Sequence, residues 1–403
     1  MSLRRKSARI WGRLGMKFKL ADLCDYAREK ITIEEVDERS YISTENLLPN
    51  KNGVTVASSV PNVKYAKSFK VGNVLVSNIR PYFRKIWYAT FDGGCSNDVL
   101  VFRSKSTVSS KFLYYVLADD KFFNYATATS KGTKMPRGDI KAIMEYSVPD
   151  IPHDAQIKIA DLLSVIDDKI ASNRAINKNL EEQIHAIVSR RFIENSSLKL
   201  MEQQNLSTLC LIITKGTTPT TVGCNFVNHG VNFVKAESIQ KDHTIATGKL
   251  AHIDDKTHAT LSRSVIKEKD ILFTIAGTLG RFSFIDESLL PANTNQAVAI
   301  IRVNQAKIPP EYIYSLFIGN WHNNYYVKHI QQAVQANLSL ATIKSLPIPM
   351  LPDSDMKVYI RMVSPIISLM QSYACENSRL QTLRDTLLPR LMSGELDVSS
   401  IKL

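Results

Sequence analysis

The strongest constraint on this chain is a repeat. Shifting the sequence by 200 residues brings Pro149, Pro152, Ser164, Ile166, Ser172, Asn177, Leu180 and Arg190 onto Pro349, Pro352, Ser364, Ile366, Ser372, Asn377, Leu380 and Arg390, 8 identities in 42 positions. A shared apolar spacing accompanies them. Ile159, Leu163, Ile166, Ile170, Asn173, Asn177, Leu180, Ile184, Ile187 and Arg191 recur at alternating steps of four and three. Tyr359, Val363, Ile366, Met370, Tyr373, Asn377, Leu380, Arg384, Leu387 and Leu391 do the same. Such steps put each set on one face of a helix, the spacing of a coiled-coil seam. Each helix is expected to run for roughly 40 residues, about 60 Å. Helices that long need a partner, so the two are expected to pack antiparallel, holding apart the globular units that precede them. Asn177 and Asn377 share a seam position, where a buried amide penalises other registers; a solvated polar interruption is the other reading. Pro365 after Ser364 predicts a fresh helix start or a kink.

Upstream of each helix the copies are more diverged. Val74-Leu-Val-Ser77 parallels Ile271-Leu-Phe-Thr274, and Ser96-Asn-Asp-Val-Leu-Val-Phe102 parallels Thr294-Asn-Gln-Ala-Val-Ala-Ile300. These runs read as strands bounded by Gly, Asn and Pro. Helical stretches follow, around 112–125 and 312–326, each leading into a polar loop. The predicted fold class is therefore α+β: two repeated α/β domains separated by two long helices packed as an antiparallel coiled coil, with pseudo-twofold symmetry. The expected boundaries are a basic extension at 1–19, domains at 20–150 and 196–352, long helices at 151–195 and 353–395, and a tail at 396–403.

A length of 403 residues suits two domains of ordinary size, and 44% hydrophobic with 22% charged residues is a globular composition. No apolar run approaches the length of a membrane helix and no secretory signal is evident, so a cytoplasmic protein without membrane contact is expected. The five cysteines are scattered and never form a Cys-x-x-Cys pair, which reads as reduced thiols. Of the +13 net charge, +7 falls within residues 1–19. Residues 1–15 read as a flexible extension or as lying upstream of a start at Met16; a basic arm touching DNA is the other reading.

The ordered segments resemble the specificity subunit of type I restriction-modification systems from about Lys19 onward. In the first half the resemblance rests on Val74-Leu-Val-Ser-Asn-Ile-Arg-Pro-Tyr-Phe-Arg84, Phe91-Asp-Gly-Gly-Cys-Ser-Asn-Asp-Val-Leu-Val-Phe102 and Gly132-Thr-Lys-Met-Pro-Arg137. In the second it rests on Thr214-Lys-Gly-Thr-Thr-Pro219, Asp270-Ile-Leu-Phe-Thr-Ile-Ala-Gly-Thr-Leu-Gly-Arg281, Gln335-Ala-Asn-Leu338 and Leu383-Arg-Asp-Thr-Leu-Leu-Pro-Arg-Leu-Met-Ser-Gly-Glu395. The resemblance implies two target-recognition domains, each reading one half of a split double-stranded DNA target, with the helices as spacer. It also implies docking of two adenine methyltransferase subunits and two restriction/translocase subunits. No cofactor is expected on this chain; S-adenosylmethionine, ATP and magnesium are expected on the partners. A duplicated, diverged chain can read two different half-sequences, so the target is expected to be asymmetric.

Base readout favours Arg or Lys against guanine and Asn or Gln against adenine, while phosphates favour basic side chains. The candidate DNA-binding residues are Arg80, Arg84 and Lys85 at a strand end among aromatics, and Lys131, Lys134 and Arg137 in a glycine-containing loop. In the second domain they are Lys215, Arg281, Gln331, Gln335 and Asn337, with Gln332 nearby. For any one of them a solvated charge or a loop hydrogen bond is an equal reading. The candidate seam residues are Ile166, Ile170, Asn177, Leu180, Ile366, Met370, Asn377 and Leu380.

The chain is not expected to be an enzyme by itself. Pro149-Asp150 with Asp167-Asp168-Lys169 matches a loose metal-nuclease pattern, but Asp167 and Asp168 fall within the long helix and read as a solvated face. A methyltransferase would need a glycine-rich cofactor turn and an Asn/Asp-Pro-Pro-aromatic loop, and neither is present. His252 and His258 flank a polar turn, where metal binding is the minor reading. A duplicated protein-binding scaffold remains the alternative to DNA recognition.

Overall fold

The computed structural model describes residues 17–193, 202–327 and 337–398. The stretch before Lys17, Gln331, Gln332 and Gln335 lie outside the described residues. The chain divides into two compact units, Met1–Lys169 with Gln381–Leu403, and Ile170–Leu380. Each unit thus contains part of both long helices, which the sequence boundaries treat as separate segments.

In the first unit, Val74-Leu-Val-Ser77 is a central strand because a β-branched apolar run can bury both of its faces. The antiparallel order is Cys24–Tyr26, Val99–Ser104, Val74–Ser77, Ile86–Tyr88. Side chains alternate across it. Val74, Val76, Ile86, Leu100 and Phe102 join a core with the helices Ser110–Ala118 and Asp120–Ala128. Leu75, Trp87, Val99 and Val101 join another with Phe69 and Ile42. A second sheet runs Lys30–Thr32, Tyr65–Phe69, Gly93–Cys95, Tyr41–Ile42. Glycine is required at Gly93, where a Cβ would lie 2.1 Å from the Ser40 carbonyl oxygen.

The second unit repeats the first sheet as Cys210–Lys215, Val298–Val303, Ile271–Thr274, Phe282–Phe284. Its other sheet keeps the parallel pair, now Val231–Val234 beside Ala292–Thr294, and the antiparallel neighbour Val265–Ile266. The extra edge strand differs. It is Lys30–Thr32, against Tyr65–Phe69, in the first unit and Ala251–Ile253, against Val231–Val234, in the second, so it sits on opposite edges. Each expected helical stretch is two helices, Ser110–Ala118 with Asp120–Ala128 and Pro310–Ile318 with Asn323–Val327. Asp119 breaks the first by leaving helical geometry, at ψ 137°, and accepting the Lys121 N–H as a cap.

The long helices are His153–Val188 and Asp353–Met392. Of the two readings at Pro365, the fresh helix start does not occur; the second helix runs through it. Proline removes one helical hydrogen bond, at a cost of about 3 kcal/mol in a helix interior. Burial of the flanking Val363 and Ile367 offsets this. In the first unit Ile159 and Leu163 are buried in the company of Leu388, Leu391 and Met392, and Ile166 is buried as well. In the second, Ile170, Leu180, Ile184 and Val188 are buried, with Tyr359, Val363, Ile367 and Met370 opposite. Ile366 and Leu380 are only half-buried, Ile366 still packing against the core. A straight helix drifts about 20° per heptad from a strict seven-residue repeat. Ile367, Leu388, Val188 and Phe192 are therefore more deeply buried than Ile366, Leu387, Ile187 and Arg191.

The polar seam positions are hydrogen-bonded between the helices. Asn177 and Asn377 do not pair with each other. Asn173, fully buried, donates to Asn377 Oδ1 at 3.1 Å and to Glu376 at 2.7 Å, while Asn177 donates to the Met370 carbonyl at 3.1 Å. Rising numbers on one helix meet falling numbers on the other, so the pairing is antiparallel. Asp167 is not on a solvated face; it accepts from Arg384 at 2.7 Å and from the Tyr115 hydroxyl at 2.9 Å. Only Asp168 is exposed.

Candidate nucleic-acid interface

In the first unit the strands Val74–Ser77 and Ile86–Tyr88 are joined by Arg80-Pro-Tyr-Phe-Arg84-Lys85. Pro81 starts a single 3-10 turn, Pro81–Phe83. Arg80 and Arg84 close it at φ 50° and 52°, a left-handed conformation that non-glycine residues adopt only when held there. Two other loops hold it. Asn50 and Lys51 N–H groups donate to the Phe83 and Arg84 carbonyls at 2.8 and 2.9 Å, and the Arg80 N–H donates to the Pro136 carbonyl at 2.8 Å. Lys131 and Arg137 exchange two backbone hydrogen bonds, and Gly138 N–H donates to the Asn78 carbonyl at 3.0 Å. Arg80, Arg84, Lys85, Lys131, Lys134 and Arg137 are thereby carried on two loops bonded to each other, the first of them also held by the loop of Asn50 and Lys51.

Carboxylates restrain three of these six cations and the neighbouring Lys51. Arg84 and Lys51 both approach Asp120 at 2.9 Å, Arg137 approaches Asp98 at 3.1 Å, and Lys131 approaches Asp139 at 2.6 Å. The Lys131 ammonium, then the backbone N–H of Ala142, hold the Asp139 carboxyl below its usual range. Lys85 donates to the Thr44 carbonyl, and burial lowers its pKa despite nearby Glu45. Lys85 is therefore committed within the fold. Lys134 is exposed and has no partner among the described residues. Exposed ion pairs contribute about 0–1 kcal/mol, so phosphate oxygens can displace these carboxylates. Sequence reading missed Lys51 and the three aspartates. The turn sequence Asn50-Lys-Asn-Gly53 was the available signal for the former; pairing between residues distant along the chain left none for the latter.

In the second unit Arg281 ends the equivalent turn, but its guanidinium donates to the Ile239 carbonyl at 3.0 Å and is half-buried. Lys215 is exposed at the same end of the sheet, its strand reaching Phe273 through Ala299. Asn337 is exposed beside Leu338, whose N–H donates to the Ile275 carbonyl at 3.0 Å, as Gly138 does to Asn78. Gly277 and Gly280, at φ 73° and 81°, replace the arginines and aromatics of the first turn. His252 lies on the strand Ala251–Ile253 and His258 on the helix Asp255–Thr260, where its Nδ1 is 3.3 Å from Asn293. Among the described residues no helix is long and apolar enough to cross a membrane.

Comparison with known proteins matches these features. A family described as the type I restriction modification DNA specificity domain matches the chain twice, over residues 15–182 and 199–371. The chain is 22% identical to the HindI specificity subunit of Haemophilus influenzae over 94% of its own length and 99% of that protein. A shorter stretch, 23% of this chain and 20% of its relative, is 34% identical to the EcoDI specificity subunit of Escherichia coli. The fold is similar to the crystal structure of a type I restriction-modification S subunit from M. genitalium, at TM-score 0.56 and 16% identity, covering 94% of this chain and 96% of that one. With two family matches on two units that repeat one four-stranded sheet, the chain belongs to the type I restriction-modification DNA specificity family.

Proposed function

We propose that this chain is the sequence-reading subunit of a type I restriction-modification complex, each unit recognising one half of a split, asymmetric duplex DNA target. The observation that carries this reading is the double family match on two units that repeat one sheet while their equivalent turns differ in chemistry. One turn carries arginines and aromatics, the other glycine and threonine, so the two units have different groups to offer a base edge. In this proposal the long helices set the spacing of the half-targets. They also dock two methyltransferase subunits, with two restriction/translocase subunits completing the complex. S-adenosylmethionine, ATP and magnesium then belong to those partners.

The reading is tested by gel-shift of the chain with its methyltransferase, together with sequencing of methylated adenines in the host. A bipartite motif and binding that prefers it are expected. Absence of any sequence preference with the partner present would sink the proposal. Arg84→Ala and Arg137→Ala are each expected to weaken binding to target and random duplexes alike, lowering the salt slope by about 1 for each phosphate no longer neutralised. An unchanged slope would remove that residue from the interface.

A candidate docking face lies on the second long helix, where Val358, Met362 and Leu369 are exposed large apolar residues. Steps of four and seven align them along one side of the helix. Met362→Glu is expected to reduce co-purification of the methyltransferase at least tenfold, leaving the melting temperature within about 2 °C of wild type. Undiminished co-purification would place the docking face elsewhere.

A further inference from the structure

The turn between the strands Val74–Ser77 and Ile86–Tyr88 of the first unit holds a feature that phosphate contact does not explain. Tyr82 and Phe83 are 49% and 40% exposed, with ring centroids 4.8 Å apart and planes 57° apart. Two adjacent aromatic rings left in water forgo the burial that such side chains ordinarily gain. The backbone beneath them is nevertheless held at both ends. It is bracketed by left-handed Arg80 and Arg84 and bonded through its carbonyls to the N–H groups of Asn50 and Lys51. Rigid support under an exposed apolar pair is the construction expected of a surface that meets a ligand rather than of a loose loop. The adjoining loop adds the exposed side chains of Lys134 and Met135.

We propose that Tyr82 and Phe83 form an apolar wedge that enters the base stack of duplex DNA at one step of the half-target read by the first unit. The inference rests on the DNA-recognition reading and deepens it. Apolar side chains inserted at a base step partly unstack it and kink the duplex, and aromatic faces stack on any base. Cations beside the wedge suit the phosphates flanking an opened step, the local carboxylates Asp98, Asp120 and Asp139 yielding their partners to them. Among the described residues of the second unit the equivalent turn has no such pair. That turn carries Gly277, Thr278, Leu279 and Gly280, and Leu279 packs against the core. The wedge therefore distorts DNA in one half of the target only, and sequence preference there includes how readily that step deforms.

The test uses the chain with its methyltransferase and a 30-base-pair duplex, a length of about three helical turns, bearing the motif found by methylation sequencing. Single 2-aminopurines are placed outside the methylated adenines. Wild type is expected to raise fluorescence severalfold at one step in one half. The double variant Tyr82→Ala/Phe83→Ala is expected to lose that signal and about ten- to a hundredfold in affinity, and Tyr82→Phe to keep both. Target-preferential binding with fluorescence and affinity unaltered by the double variant overturns the wedge and leaves the DNA reading standing. No target preference in wild type overturns both. Failure of the double variant to co-purify with methyltransferase, with an unchanged melting curve, assigns the aromatic pair to a protein contact and also overturns the wedge.

Discussion

Replacing Arg302 by Met is expected to lower the stability of the second unit by about 3–5 kcal/mol at neutral pH, measured by denaturant melts, because it strands a buried carboxylate. Asp270 is fully buried and its two oxygens receive Arg302 Nε at 2.8 Å and Nη2 at 2.7 Å, with the Lys267 N–H at 2.7 Å. Burial holds its pKa above the usual carboxylate value, and Arg302 pulls the other way. A carboxyl with a raised folded pKa favours the fold below its unfolded pKa and loses that contribution as pH rises through the folded value. Without Arg302 the folded value moves further up, so the variant's deficit is expected to shrink as pH is lowered and Asp270 protonates. A deficit independent of pH would show that the loss is one of packing. The first unit offers a control. Asn73 stands where Asp270 does and accepts the Lys70 N–H at 3.0 Å, while Arg103, at the Arg302 position, pairs outward with Glu29. An amide thus closes the same turn with no counter-charge. Asp270→Asn combined with Arg302→Met is accordingly expected to recover most of the stability.

Arg384→Ala is expected to destabilise the first unit by a similar amount, on the order of 10 °C in melting temperature. Arg384 approaches Asp167 at 2.7 Å and Asp385 at 2.9 Å, and its side chain is only 16% exposed. Burial opposes its charge, but the two aspartates outweigh that and stabilise the cation. Asp167 also accepts from Tyr115, whose hydroxyl is held in its protonated form by burial and then by the neighbouring carboxylate. Removing Arg384 leaves Asp167 with one neutral donor. Asp385→Ala is expected to cost no more than about 1 kcal/mol, since Asp385 is exposed. Equal losses from Arg384→Ala and Asp385→Ala would place the energy outside the Asp167 pair.

Periodicity made the long helices and the central strands legible, because burial of one helix face or of both strand faces imposes residue types at fixed spacing. Ile159, Leu163, Ile170, Leu180 and Ile184 were found in this way and are buried. The strand pairs Val74–Ser77 and Ile271–Thr274 likewise sit at the same place in equivalent sheets. The same logic misjudged Asp167, offered a fresh helix start at Pro365 that does not occur, and did not distinguish half-buried Ile366 from buried Ile367. A helix's tolerance for proline, its drift from a strict heptad, and whether a carboxylate meets an arginine 217 positions away depend on what packs opposite. For the reading surface, sequence could nominate cations but not their setting. Lys85 turns inward to a carbonyl, Arg281 is tied to Ile239, and Lys134 stands without a partner among the described residues.

The sequence by itself therefore determined a duplicated chain, its two strand-and-helix units and its family resemblance, since local spacing and order carry those. Tertiary structure alone decided which asparagines meet, which charges are neutralised, on which edge each unit adds a strand, and that Tyr82 and Phe83 face outward on a rigid turn. The reason is physical: periodicity reports the face a residue must bury, whereas pairing and exposure are set by distant segments whose approach no local pattern encodes.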